Sequence, residues 1–149
     1  MAVIFDGNDG YQGTNPLSST PATLACWAKL PGSAAQAFGR LISIEDSANN
    51  RDKLSIYYVN QDDAADTLVE CYAQHFDNNT AVAQSGAGFV TYNTWQHIAG
   101  VYPSDSSRSI WIDGVSRATE TTAQTALANI DKISIGYLHW STGKIQDRS

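Results

Sequence analysis

The sequence predicts an all-β fold, an antiparallel sandwich of two sheets, and three observations carry that expectation. Short runs rich in β-branched and aromatic residues recur along the chain, separated by Gly, Asn, Asp, Pro and Ser clusters that build turns. The stretch "TWQHIAGVYPSDSSRSIWIDGV", residues 94–115, reads as strand, loop, strand, tight turn, strand. No segment presents a convincing amphipathic helical stripe. A β-meander inside a series of evenly punctuated strands is the pattern of a sandwich.

The elements follow in order. "AVIF" opens the chain as a first strand, and "GNDG" turns it. In "TLACWAKL", Leu24, Cys26, Ala28 and Leu30 alternate onto one face and Trp27 falls on the other. "RLISIE", "KLSIYYV" and "TLVECYAQHF" supply three more strands, with "DSANNRD" and "NQDDAAD" as polar connections. "DNNTAVAQSGAG" is read as a connection too. In the meander, "PSDSS" is the loop, and Asp113-Gly114 tolerate the positive φ of a tight hairpin. Ile110 and Ile112 share one face of "SIWIDG", with Trp111 opposite. "TETTAQTALANID" has too few bulky apolar residues to bury a helical stripe and is read as a loop. "KISIGYL" is the last clear strand. The expected core includes Leu24, Ile98, Ile110, Ile112, Ile133 and Ile135.

Large aromatics backing an apolar face have two explanations. A loop can cover them, or a sheet can present them to a ligand. For Trp27 and Trp95 the covered arrangement is the expectation.

Composition sets further bounds. A chain of 149 residues with 42% hydrophobic content suits one domain, residues 1–149, with a substantial core. The net charge of −6, with only 9 scattered Lys and Arg, excludes phosphate-backbone binding, so nucleic acid is not an expected partner. No apolar run approaches a membrane span, so no membrane insertion is expected. "MAVIFDGNDGYQG" has no basic n-region or apolar h-region. Cys26 and Cys71 lie in strand-like runs and are read as free, buried thiols rather than a disulfide.

These residues together resemble a family. "VIFDGNDGYQG" is similar to the first strand and turn of laminin-G-like, concanavalin A-like jelly rolls, and "ATLACWAKL" to their strand with a central Trp. "TWQHIAGVY" resembles the family's Trp-x-His-Ile/Val-Ala strand, "SIWIDGV" the strand after it, and "KISIGYL" the late strand with Ile-Gly. The resemblance implies a jelly-roll sandwich of lectin/glucanase type. It also implies a closing strand after the Ile-Gly strand. Here the chain continues only as "HWSTGKIQDRS", so the domain is expected to lack its last strand or strands at the C-terminus.

Hydrolases of this fold carry Glu-x-Asp-x-Glu on one strand, where residues two apart point the same way and their carboxyls converge. No such triplet occurs, and neither G-x-S-x-G nor H-E-x-x-H is present. His75, His97 and His139 are far apart in sequence, and His97 is expected to be structural. The chain is read as noncatalytic. Asp6, Asn8 and Asp9 are candidate metal ligands for Ca2+, and "EDSANNRD" offers further oxygens, but neither has the loop grammar of a strong calcium site. Turn formation without an ion is the adopted reading, so no cofactor is expected.

Glycan recognition uses aromatic platforms with amide and carboxylate partners. The candidate ligand-binding residues are Trp140, Trp111, Tyr72, Asn79 and Asp113; Tyr57 and Gln74 are weaker ones, and ordinary cross-strand packing competes for Tyr57 and Tyr72. The sequence therefore suggests a noncatalytic lectin-like module that binds a glycan or glycoprotein surface. The alternative is a virion structural protein, a capsid decoration or tail component contacting neighbouring subunits. The expected location is extracellular or virion-associated.

Overall fold

The computed structural model describes residues 11–14, 17, 19–30, 37–46, 53–60, 68–74, 80–125 and 130–136. The described strands are β1 (Tyr11–Thr14), β2 (Ala22–Lys29), β3 (Ala37–Glu45), β4 (Lys53–Asn60) and β5 (Leu68–Gln74). They continue with β6 (Thr80–Gln84), β7 (Trp95–Ser104), β8 (Ser107–Ile112), β9 (Val115–Glu120) and β10 (Lys132–Ile135). They form a six-stranded sheet in the order β1-β10-β3-β4-β5-β6 and a four-stranded sheet in the order β2-β7-β8-β9. Every pairing is antiparallel. The sandwich expected from the sequence is therefore present.

Two-residue alternation builds the core. Leu24 on β2, Ile98 on β7, and Ile110 and Ile112 on β8 point inward from the smaller sheet, each 3% exposed or less. Ile44 on β3 and Leu54 and Ile56 on β4 meet them from the larger sheet, and Ile133 and Ile135 pack against the same cluster. At roughly 25 cal/mol per Å² of apolar surface, such side chains each contribute about 1.5–3 kcal/mol when fully buried. Tyr102 ties the layers together, its hydroxyl donating to the Ser55 carbonyl at 2.9 Å.

Three local readings need correction. "TAVAQ" is not connection but strand β6, with Ala81 and Ala83 buried and its ends exposed. Its alternation is real, but alanines give a weak hydrophobic signal. Tyr11–Thr14 is a strand as well, paired with β10, beyond the "GNDG" turn and absent from the expected strands. The "PSDSS" loop shrinks to a turn at Asp105-Ser106, because β7 runs on to Ser104, which pairs with Ser107. Pro103 is accommodated where the register shifts between Val101 and Ser104, so its missing N–H interrupts no regular ladder. The expected first strand "AVIF" and the closing segment "GKIQD" lie outside the described residues, as does the expectation of an incomplete C-terminus.

Gly39 on β3 faces Tyr58 on β4 across the ladder, and a Cβ on Gly39 would run into the Tyr58 ring. The ring occupies the space that glycine leaves. Gly39→Ala is expected to cost about 1–3 kcal/mol through overpacking, measured as a lower denaturation midpoint with an unchanged slope.

Cys26 is a free thiol on the inward face of β2, as expected, packed against the core cluster. Burial pushes this thiol up to about 11, from an ordinary 9.0. The sign follows directly. The protonated form is favoured by folding, so its contribution is complete below pH 9 and is lost as pH rises through about 11. Native protein should react slowly with thiol reagents at pH 8, and Cys26→Ala should flatten the stability loss across the pH 9–11 window. The Cys71 side chain is outside the described residues.

Candidate functional site: the outer face of the four-stranded sheet

The opposite parity of β2, β7 and β8 forms the outer face of the smaller sheet. Register decides what meets there. Trp27 pairs with His97, Lys29 with Trp95, and Ala25 with Ala99, which in turn pairs with Trp111. Three tryptophans and a histidine from three strands thus share one surface. Trp27 is 65% exposed and Trp95 49%, which corrects the expectation that a loop covers them. Trp111 and His97 are half-buried.

The segment that leads into β7 is held by local contacts. The chain entering β7 is held from the inner side by Gln96, a buried residue whose amide is used at both ends. Its oxygen accepts the Thr91 N–H at 2.7 Å. Its nitrogen donates to the Phe89 carbonyl at 3.2 Å and to Asp113 Oδ2 at 3.1 Å. Asn93 N–H donates to the Leu30 carbonyl at 2.8 Å, and the Arg117 guanidinium lies 4.4 Å from the Phe89 ring centre. Residues 89–93 are thereby drawn toward the β8–β9 turn and the end of β2.

Asp113 was a candidate ligand contact, and its carboxylate is engaged within the protein. Oδ1 accepts the His97 backbone N–H at 2.9 Å, and Asp113 N–H donates to the His97 carbonyl at 2.8 Å. Asp113 and Gly114 have φ of 52° and 77°, the left-handed pair of a tight hairpin, as "DG" suggested. Asp113 therefore fixes the β7–β8–β9 corner that carries His97.

The rings are held in different ways. The Trp27 and His97 rings sit 5.5 Å apart, tilted by 59°, an edge-to-face-like contact. Trp111 Nε1 donates to Ser109 Oγ at 2.9 Å, which lays the indole along its own strand. Trp111 is thus the one candidate aromatic with a described place on this surface. From strand and residue spacings, Trp95 and Trp27 are about 8 Å apart at Cα and Trp95 and Trp111 about 14 Å.

The other candidates fall elsewhere. Tyr72 is in β5 opposite Ser55, and its side chain is outside the described residues, as is that of Gln74. Tyr57 is on the six-stranded sheet with the Arg40 guanidinium 5.0 Å from its ring centre, and Arg40 donates to Ser55 Oγ at 2.8 Å. Trp140, Asn79 and the candidate calcium ligands Asp6, Asn8 and Asp9 lie outside the described residues. Among the described residues no cluster of His, Cys, Asp and Glu is arranged to hold a metal ion. No described helix is long and apolar enough to cross a membrane.

The sequence reading did not name Trp27, Trp95 or His97 as candidate contacts, yet the structure brings them together on this face. The alternation in "TLACWAKL" placed Trp27 on the face away from the core, and that signal was sufficient to nominate it.

The laminin G family model described as "Concanavalin A-like lectin/glucanases superfamily" matches residues 5–147. The chain belongs to this superfamily. Among solved structures, this concanavalin A-like domain is similar to sheep galectin-11 in its complex with glycerol. That match has a TM-score of 0.55 and 8% identity, covering 85% of this chain and 89% of the galectin. A 1,3-α-1,4-β-D-galactose-4-sulfate-3,6-anhydro-D-galactose 4-galactohydrolase matches with a TM-score of 0.49 and 5% identity, covering 84% of this chain and 54% of that one. Domains LG4-5 of the mouse laminin α1 chain match with a TM-score of 0.47 and 15% identity, covering 94% of this chain and 37% of that one. Comparison with curated protein sequences gives no match.

Proposed function

We propose that this concanavalin A-like domain is a noncatalytic glycan-recognition module whose binding surface is the outer face of its four-stranded sheet. The superfamily unites lectins and glucanases, both of which take glycans as ligands. The observation that carries the reading is the pair of exposed indoles, Trp27 and Trp95, set beside His97 and Trp111 on one sheet. Indole faces pack against the C–H faces of sugar rings, while their surroundings meet hydroxyls. Thr23, Ser109 and Lys29 supply hydrogen-bonding groups around these rings. Holding a sugar this way requires no general acid or nucleophile.

A glycan array followed by calorimetric titration of the best ligand tests the reading. Trp27→Ala should weaken binding by roughly tenfold or more, in keeping with the loss of one stacked ring worth about 1.5 kcal/mol. Trp27 contributes little to the core, so the variant should keep the wild-type denaturation midpoint. Unchanged affinity in a folded Trp27→Ala protein would remove this face from glycan recognition.

A further inference from the structure

We infer that the ligand is an internal stretch of a neutral, extended glycan chain with equatorial linkages, lying along β7, rather than a terminal sugar. The inference rests on the glycan-binding reading and specifies its ligand.

The geometry has three parts. Trp95 and Trp111 mark the two ends of a track of about 14 Å along β7. His97 and Ala99 floor it between them, because each pairs in register with a residue of the flanking strands. Trp27 stands at one side, against His97. A single pyranose ring is shorter than this track, so one sugar would touch one indole and leave the others idle. A ribbon-like chain with equatorial linkages presents ring faces in succession and reaches all three. A chain with axial linkages curls away from a flat surface.

The shape of the surface points the same way. A terminal sugar is held by a pocket that surrounds it. Here the floor is a sheet face, with His97 half-buried and Ala99 buried between Trp95 and Trp111 and Ala25 exposed beside them. Charge sets the chemical class. Lys29 is the one formal charge among the outward positions of β2, β7 and β8 from Thr23 to Trp111, and the whole chain carries −6. A polyanionic glycan would need a basic cluster.

The test uses neutral β-1,4-linked oligomers of glucose, mannose, xylose and N-acetylglucosamine, from monomer to hexamer, with the α-1,4-linked glucose hexamer for comparison. Affinity for at least one β-1,4 series should rise roughly tenfold or more between dimer and pentamer and then level off, as successive rings engage successive indoles. The α-1,4-linked hexamer should bind roughly tenfold more weakly or worse. Trp95→Ala and Trp111→Phe should each shorten the length at which affinity levels off, which loss of folding alone would not do. Binding that is independent of length, or strongest for a monosaccharide or the α-linked chain, overturns this inference and leaves glycan recognition standing. No binding to any glycan, on these series or on the array, overturns both. Self-association that Trp27→Ala abolishes would assign the face to a second copy of the chain and likewise overturn the inference.

Discussion

Replacing Ile110 with alanine is expected to lower stability by about 4 kcal/mol, near the upper part of the range for large-to-small changes in a core. The reason lies in the residues beside it. Ile110 is fully buried on the inner face of β8, between Gly100 on β7 and Ala118 on β9. Leu24 lies one strand further, opposite Gly100. Gly100 has no side chain and Ala118 only a methyl, so Ile110 fills the volume above both. Neither neighbour can swing into the space that truncation leaves, and cavities that cannot collapse are the costly ones. Ile133→Ala on β10 is the comparison, since Ile133 is only partly buried. That change should cost about 1–2 kcal/mol, because less apolar area is lost. Urea denaturation of both variants measures the difference. An Ile110→Ala loss below that of Ile133→Ala would show that the core is not organised around the β7–β8–β9 meander.

Asp113→Ala is expected to cost about 2–4 kcal/mol, from two separable sources. Alanine at φ 52° adopts the left-handed region unfavourably. The carboxylate contacts to the His97 N–H and to Gln96 disappear as well, leaving the buried Gln96 amide short of one partner. Asp113→Gly separates these sources, because glycine keeps the turn conformation while losing the same hydrogen bonds. The glycine variant should therefore be the more stable by about 1 kcal/mol. If alanine proves the better substitute, the turn is not held in the left-handed conformation described. Both variants should also weaken glycan binding, since Asp113 fixes the backbone that carries His97.

Much of the fold was legible because it is written in local chemistry. "DG" at 113–114 requires a tight hairpin, and the parity of Ile110 and Ile112 against Trp111 separates core face from outer face. β6 was not legible, because Ala81 and Ala83 bury little area and "TAVAQ" sits among turn residues. The candidate face was legible only in part. Parity put Trp27 and Trp111 away from the core, but whether a loop covers them depends on contacts distant in sequence. Gln96 fixes the segment before β7 by bonding Thr91, Phe89 and Asp113, and nothing in "WQHIAG" marks a glutamine for that role. The register of β2 against β7, which sets Trp27 beside His97, likewise comes from packing the Leu24 face into the core.

If glycan binds the outer face of the four-stranded sheet, the tryptophan indole N–H signals report it directly. The chain has four tryptophans, so four indole resonances can be assigned by single substitutions and followed by NMR during titration with the best glycan. Large shifts are expected for Trp27 and Trp95, a smaller one for Trp111, whose N–H is already bonded to Ser109, and none in the backbone amides around Tyr57 and Arg40 on the six-stranded sheet. Shifts confined to Tyr57, Arg40 and their neighbours, with Trp27 and Trp95 unmoved, would place the glycan on the opposite sheet and contradict the proposed binding face.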